Sequence, residues 1–531
     1  MKNFNDLIIY QIYLRSFKDT NNDGIGDFNG VREKLDYLQS LGVNAIWLSP
    51  FYQSPNYDNG YDISDYKKVS SEFGTMDDLK RLFADMRKRD IQIIIDLVVN
   101  HTSIHHAWFQ EARKSRDNPY HDYYIWAEKP PNTWKSVFGG SAWEYNEQTK
   151  EYYLHSFAME QADLNWENSK VRKACKEIVE FWVDFGVDGF RCDVLDFISK
   201  DFKRGKMYDG PKLHRYIKEL FSGEKLKDIF TIGECQSGKN NIELICGKDR
   251  KELSCVFQFD HISLGRKTKY IPAPPNYIKL KNTLVNWQKF TQKRNINYVL
   301  FTDNHDQPYY LSRMGNEKKR YYSATMLCAC FYLLKGIPVI YQSQEYGSIN
   351  PYYNDISYFK DIETLNYYSS HKKSKELLEK INFSSRDNTR RPFAWNSDKK
   401  SCFGFSESNF WITPNTHASK INLEKDISKK KSVFSFYKSV LSLRNNNEIV
   451  RYGDFTDETK NNANCFIYKR KYKNQSLIVV CNFEKKNTIS VAEYSNDYTL
   501  VLSNYTKRSP FDNKFSPFEV RVYLNKMKTT E

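Results

Sequence analysis

GFRCDV, residues 189–194, puts two full charges, Arg191 and Asp193, two positions apart at what reads as the end of a buried strand. Strand side chains alternate faces, so the pair points the same way. An arginine beside a carboxylate favours its ionised form. That suits a nucleophile, and it suits a structural ion pair equally; these six residues do not separate the two. Outward from this strand, short apolar runs alternate with helical patterns. The strand candidates are 7–17, 44–50, 91–101, 188–194, 230–235, 254–260, 297–306 and 337–345. Between them lie amphipathic stretches such as GVREKLDYLQSLG (30–42) and TMDDLKRLFADMRKRD (75–90), the second opening on Thr75 and two aspartates, good N-cap and first-turn residues. Strand–helix alternation predicts parallel strands, and eight such units predict an α/β fold, a (β/α)8 TIM barrel.

One connection is too long for a barrel loop. From His101 to about residue 168 the text is loop-rich and aromatic, and long excursions after a strand tend to carry function. It reads as an inserted small domain, 102–167, on the C-terminal face. The barrel then comprises 1–101 and 168–450, closing on the helical stretch 429–446. Beyond Arg451, runs such as CFIYKRKY, SLIVVCNF and FEVRVYLN alternate with turn residues, which predicts a C-terminal antiparallel β-sandwich domain, 451–531.

The bulk numbers bound the function classes. The chain has 531 residues, 40% hydrophobic, ample for a large core. Its net charge of +15 is spread among Asn, Asp and Glu, as in SKDFKRGK (199–206), and no basic helix with interleaved aromatics stands out. A solvated surface is expected, with no nucleic-acid partner. The ten cysteines show no CxxC pair and no metal spacing. No signal-peptide layout and no long apolar run occur. A soluble, cytoplasmic, monomeric protein without membrane association is expected.

Charged residues gather near strand ends: Asp96, His101, Arg191, Asp193, Glu234, His305 and Asp306. Barrel active sites are assembled from several strand ends. Buried unpaired charges are too costly to collect by chance, so a shared polar pocket accounts for the pattern better than independent ion pairs. The cluster offers no Ser-His-Asp arrangement and no transition-metal set. One protonated and one ionised carboxyl flanking a bond is the arrangement for glycoside hydrolysis. Asp193, kept ionised by Arg191, is then the nucleophile. Glu234, after the apolar FTIG, is the proton donor, its pKa raised by desolvation. Asp306 would bind sugar hydroxyls and favour a cationic transition state.

At these residues the chain resembles the α-amylase family of glycoside hydrolases (family 13), in its oligo-1,6-glucosidase, dextran-glucosidase and trehalose-6-phosphate hydrolase branch. Four family motifs appear in order: DLVVNH (96–101), GFRCDV (189–194), IGEC (232–235) and FTDNHD (301–306). Branch-level text agrees: YQIYLRSF (10–17), DNGYDISDY (58–66), FGGSAW (138–143), KDIETLN (360–366) and SRDNTRRP (385–392). The resemblance implies a retaining mechanism, with Asp193 as nucleophile, Glu234 as acid/base and Asp306 as transition-state stabiliser. It implies that Asp58, Tyr61, His101, Arg191, His305 and Arg390 bind the terminal glucose. Asp58 and Arg390 would grip its hydroxyls and close the pocket, making the enzyme exo-acting. Phe138 and Phe157 are candidates for stacking, or plain core.

In DTNNDGIGD (19–27), Asp19, Asn21, Asp23 and Asp27 alternate as oxygen donors around a glycine turn, without the distant Glu of an EF-hand. The resemblance implies a structural Ca2+ here, with the Ile25 carbonyl as a further ligand; a metal-free acidic turn is the other reading. No organic cofactor is expected. Three motifs depart from the branch. Tyr309 replaces arginine in NHDQPR, YQSQE (341–345) replaces YQGEE, and RRPFAW (390–395) replaces RTPMQW. These changes are expected to alter the pocket rim. Within the branch, valine after the nucleophile goes with α-1,6 bonds and threonine or alanine with α-1,4. Here it is Val194, so isomalto-oligosaccharides are the expected substrates. The alternative is trehalose 6-phosphate, which needs a Lys or Arg to hold phosphate. An α-1,4-glucosidase, a sucrase and a catalytically silent binding relative are further readings.

Overall fold

The computed structural model describes residues 3–247, 252–459, 462–506 and 509–526. Eight strands form its centre: β1 Ile9–Ile12, β2 Ala45–Leu48, β3 Gln92–Leu97, β4 Gly189–Cys192, β5 Phe230–Gly233, β6 Cys255–Val256, β7 Val299–Leu300 and β8 Ile337–Tyr341. They pair in the order β6-β5-β4-β3-β2-β1-β8-β7. The pairings are parallel, and a parallel bridge from Val256 to Tyr298 joins the two ends into a barrel. The strands are buried throughout except at Gln92, so they read as apolar runs rather than alternations. Several are shorter than the apolar runs that betray them: 254–260 yields only β6, and 297–306 only β7. Chain beyond a strand end is free to carry the site.

The helices follow their caps. Thr75 and Asp78 form a reciprocal capping box at the start of helix Met76–Lys88. Asn168 caps helix Ser169–Phe185, which ends on Gly186 at φ 114°. Ser432 caps helix Val433–Asn446. The stretch read as one helix over 30–42 is two, Phe28–Glu33 and Leu35–Leu41, broken at Lys34, whose backbone is not helical. Gly30 in the first lets the helix touch the preceding loop, since a Cβ there would sit 2.0 Å from the Lys18 carbonyl oxygen.

Between β3 and β4 the chain builds a three-stranded antiparallel sheet from Trp126–Ala127, Glu151–Leu154 and Trp143–Asn146. It is packed by an aromatic cluster of Phe109, Tyr124, Trp126 and Tyr153. At its base His101–Ser103 pairs antiparallel with Gln161–Asp163. His101 therefore belongs to the root of the excursion and not to β3. After the barrel come β9 Asp454–Asp457, β10 Cys465–Tyr472, β11 Gln475–Asn482, β12 Tyr498–Ser503 and β13 Val520–Asn525. They form an antiparallel sheet ordered β9-β10-β11-β13-β12. Tyr468 and Arg470 of β10 donate to the carbonyls of Ala329 and Leu333, fastening the sheet to the helix Arg320–Tyr332 region. Among the described residues no helix is long and apolar enough to cross a membrane.

Candidate active site

The parallel register places Arg191 opposite Asp96 of β3, and the ladder continues past the strand ends. The Asp193 amide donates to the Leu97 carbonyl and the Glu234 amide to the Cys192 carbonyl. This brings three carboxylates onto one guanidinium. Arg191 Nη1 lies 2.6 Å from Asp96 Oδ1 and 2.7 Å from Asp193 Oδ1, and Nη2 lies 2.5 Å from Glu234 Oε2. Trp47 Nε1 donates to Asp96 Oδ2, fixing the innermost member. Arg191 holds one oxygen of each outer carboxyl, leaving Asp193 Oδ2 and Glu234 Oε1 for a ligand.

Asp306 enters from beyond β7. Its Oδ1 accepts from Arg386 Nη1 at 3.2 Å and Arg390 Nη2 at 2.9 Å, and its Oδ2 lies 3.0 Å from His305 Nε2. Gln11 Nε2 meets His305 Nδ1 at 2.7 Å, which assigns the ring proton to Nε2. Burial pushes the His305 imidazole down to about 3, so it is neutral at ordinary pH. Burial works against ionisation of Asp306, yet contact with His305 and the charges of Arg386 and Arg390 hold it well below the usual carboxylate range.

Asp193 differs from expectation. Burial pushes its carboxyl well up, and Glu234, Asp96 and Asp306 add to this. Arg191 only partly offsets them, because its charge is shared with Asp96 and Glu234. Asp96 itself is raised to about 6, again by burial against the pull of Arg191. Burial thus favours the protonated forms of Asp193 and Asp96. The simple picture of Asp193 held ionised by a dedicated arginine is corrected to a shared one.

A cavity of about 220 Å3 opens over these groups. Asp58, Tyr61, His101, Val194, Asp193, Glu234 and Asp306 line it. Arg191, His305 and Arg390, at 1%, 0% and 1% exposure, sit behind the carboxylates and do not line it. The arginine that meets Asp58 is Arg386, at 3.1 Å, not Arg390. Arg390 instead donates to the His305 carbonyl and to Asp306. Arg386 also grips Asp361 at 2.6 Å. Both arginines stand in SRDNTRRP, four residues apart, so spacing alone did not say which reaches the cavity. Gln161, which donates to Asp58 Oδ2, and Lys269, which pairs with Glu363 on the cavity wall, stand in no quoted motif, and Glu363 stands in KDIETLN without a role assigned to it. Phe138 and Phe157 line the cavity and also pack with Phe197, so the stacking and core readings coexist.

Val194 adopts φ 35°, a left-handed backbone that β-branched residues rarely enter, and its amide donates to Glu234 Oε2. The strain holds the residue after Asp193 against the acid; strained residues of this kind cluster at functional sites.

The three motif departures do not reach the rim. Tyr309, Ser343 and Gln344 are 3%, 2% and 5% exposed, and none lines the cavity. The Tyr309 phenol meets the Ser343 and Ser348 hydroxyls. Gln344 Nε2 bonds to Thr302, Tyr332 and Tyr437 oxygens. Arg391 lies over the rings of Tyr353 and Phe359. Their effect is on the core and not on the cavity wall.

Loop 19–27 offers the hard oxygens calcium takes. Asp19 accepts from the amides of Asn21, Asn22 and Gly24, and Asp27 from Thr20 and Gly30, each bond using one lone pair of an oxygen. Among the described residues no three His, Cys, Asp or Glu side chains converge as a metal cluster. The donor chemistry fits a cation at the loop, while the fold of the loop is already closed by its own amides.

A family model described as "Alpha amylase, catalytic domain" matches residues 11–453. The chain is 42% identical to the oligo-1,6-glucosidase of Bacillus cereus, over 97% of this chain and 98% of that protein. It is 39% identical to the trehalose-6-phosphate hydrolase of Bacillus subtilis (strain 168), over 97% of each. The crystal structure of trehalose-6-phosphate hydrolase from Bacillus licheniformis superposes with a TM-score of 0.92 at 37% identity, covering 99% of this chain and 100% of that one. With the barrel, the carboxylate cluster and these matches together, the chain belongs to the α-amylase family of glycoside hydrolases.

Proposed function

We propose that the protein is a retaining, exo-acting α-glucosidase that releases glucose from the non-reducing end of α-1,6-linked isomalto-oligosaccharides. The observation that carries this reading is the small cavity in which the Asp58–Arg386 pair and the Asp193–Glu234 pair share one wall system. A pocket so bounded suits one terminal sugar. Asp193 Oδ2 attacks the anomeric carbon while the bond to the leaving oxygen breaks, and Glu234 gives that oxygen its proton. Water, giving its proton to Glu234, then displaces Asp193. Asp306 faces the positive charge that develops on the ring. One guanidinium, that of Arg191, spans both carboxyls.

Linkage and leaving group rest on Val194, Lys269 and Glu363. The two basic residues on the cavity wall, Arg386 and Lys269, are both engaged by carboxylates, which favours a neutral leaving sugar over a phosphorylated one. Trehalose-6-phosphate hydrolysis stays as the second reading, favoured by the similarity to enzymes of that name. Assay of the purified protein on isomaltose, maltose, sucrose, trehalose and trehalose 6-phosphate separates them. Isomaltose is expected to be cleaved best; a strict need for phosphate contradicts the first reading.

We also propose a structural calcium at loop 19–27, remote from the reaction, held by Asp19, Asn21, Asp23, Asp27 and the Ile25 carbonyl. Its expected sign is a Tm that rises with calcium and falls with chelator, while an unchanged Tm contradicts it. Ten free, buried cysteines are consistent with action in a reducing cytoplasm.

A further inference from the structure

Three successive residues after β4 grip the segment that carries Glu234. The Val194 amide donates to Glu234 Oε2 at 3.2 Å and the Leu195 amide to the Glu234 carbonyl at 2.9 Å. Asp196 Oδ2 then accepts from the Gln236 amide at 2.6 Å, and Gln236 lines the catalytic cavity. Asp196 is fully buried, on the short 3-10 helix Leu195–Ile198, and its Oδ1 has no hydrogen-bond partner. An ionised carboxylate is costly in such a place. Asp196 Oδ2 also lies 3.3 Å from Ser237 Oγ. Ser237, however, donates to Asp209 Oδ1 at 2.7 Å, and a hydroxyl has one hydrogen to give. The contact between Asp196 and Ser237 therefore calls for a proton on Asp196. With that proton in place, Asp196 donates to Ser237 and Ser237 to Asp209. Asp209 stands at φ 60°, a left-handed turn that aspartate tolerates, and its amide donates to the Asp196 carbonyl at 3.0 Å.

From this geometry we infer that Asp196, bridged through Ser237 to Asp209, is a positioning residue for Glu234: its neutral form clasps segment 234–237 at the cavity wall, and loss of its proton sets a further negative charge beside the acid. The inference rests on the glucosidase reading above, which gives Glu234 its role, and adds a pH response to it. The surrounding groups leave Asp196 without a neutralising cation. Arg191 is taken by Asp96, Asp193 and Glu234. Lys200, on the same turn, is directed to Asn100, Asp163 and the Phe197 carbonyl. Lys212, at the head of helix Leu213–Leu220, pairs with Glu167. Cys235 is a neutral thiol, its pKa raised by burial. Burial accordingly pushes the Asp196 carboxyl up to about 7, with Asp209 and Glu234 adding to the rise against the pull of the Gln236 amide. A like charge close by makes a carboxyl harder to ionise, so an ionised Asp196 raises Glu234 in turn.

The test follows kcat/KM of the full-length wild type, Asp196→Asn and Asp196→Ala from about pH 5 to about pH 9, on whichever glucoside the wild type cleaves best. The fall at high pH reports loss of the Glu234 proton. Asp196→Asn keeps a neutral acceptor for the Gln236 amide and removes the charge. At the acid end it is expected to stay within about threefold of the wild type. Its fall is expected about half a pH unit earlier, because the charge that raises Glu234 is gone. Asp196→Ala loses the clasp and is expected to be about tenfold slower even at the acid end. A fall that does not move in Asp196→Asn overturns the inference and leaves the glucosidase reading standing. So does Asp196→Ala with wild-type activity at the acid end, or Asp196→Asn as slow as Asp196→Ala at every pH. No hydrolysis of any glucoside by the wild type overturns both. Should Asp196→Ala fail to fold, the profile of Asp196→Asn alone decides.

Discussion

Two buried polar networks stand at the same end of the barrel and are built in opposite ways. Around Arg191 three carboxylates share one arginine, and Asp306 beside them shares two more. Around residues 341–345 the groups are hydroxyls, an amide and one carboxyl. Gln344 bridges Thr302, Tyr332 and Tyr437, and Glu345 Oε1 accepts from Tyr10 and Tyr37. The second network is sealed and can be satisfied without full charges. The first opens on a cavity and keeps charge that packing alone would discard, since isolated buried ions cost several kcal/mol. Of these two networks, the one rich in full charges is the one a ligand can meet. The departures at Tyr309, Ser343 and Gln344 fall in the sealed network, which accounts for their leaving the cavity wall intact.

The sharpest way to break this contrast is to neutralise each network in turn. Asp193→Asn and Glu234→Gln are each expected to lower kcat/KM by about 10^4-fold or more while the fold persists, read by steady-state kinetics beside circular dichroism. Gln344→Leu is expected to lower Tm with little change in kcat; a larger loss of kcat than of stability would join the networks instead of separating them. Next in size, Arg386→Ala removes the partner of Asp58, Asp306 and Asp361 together. Breaking buried pairs of this kind costs about 3–5 kcal/mol of stability, and substrate binding should fall with it. If Arg386→Ala binds the terminal sugar as the wild type does, Arg386 does not close the cavity. Val194→Thr is expected to move the maltose-to-isomaltose ratio of kcat/KM upward about tenfold, a difference of pocket shape alone.

A further effect lies in the sealed network and has a definite sign. Burial raises Glu345 to about 7 from an ordinary value of 4.5. The folded chain then holds a proton that the unfolded chain has released, so this group's contribution falls as pH rises from about 4.5 to about 7. Glu345→Gln keeps the acceptor for Tyr10 and Tyr37 and removes the titration. The variant's stability relative to wild type should grow across that window by up to about 3 kcal/mol, followed as Tm against pH. A difference that stays flat with pH contradicts an ionisable Glu345 in that environment.

The barrel was legible because each strand leaves a short apolar run and several helices their caps, as at Thr75–Asp78. Asp193, Glu234 and Asp306 were legible because charge at a strand end is physically expensive and so informative. The choice between Arg386 and Arg390 was not, because both lie in one irregular segment whose path depends on packing against Asp361 and the Phe138 ring. Lys269, Glu363 and Gln161 come from a hairpin turn, a helix and the excursion, and meet only in three dimensions. The sharing of Arg191 among three carboxyls follows from register between β3, β4 and β5, which no single segment encodes.

The claim that Asp193 is the nucleophile of a retaining glucosidase is tested most directly by trapping the intermediate. The enzyme is incubated with a fluorinated glucosyl fluoride that reacts quickly and hydrolyses slowly, then digested and mapped by mass spectrometry. The account predicts one added glucosyl group, on the peptide carrying Asp193. An adduct on Glu234 or Asp306, or turnover with no adduct and inversion at the anomeric carbon, would contradict it.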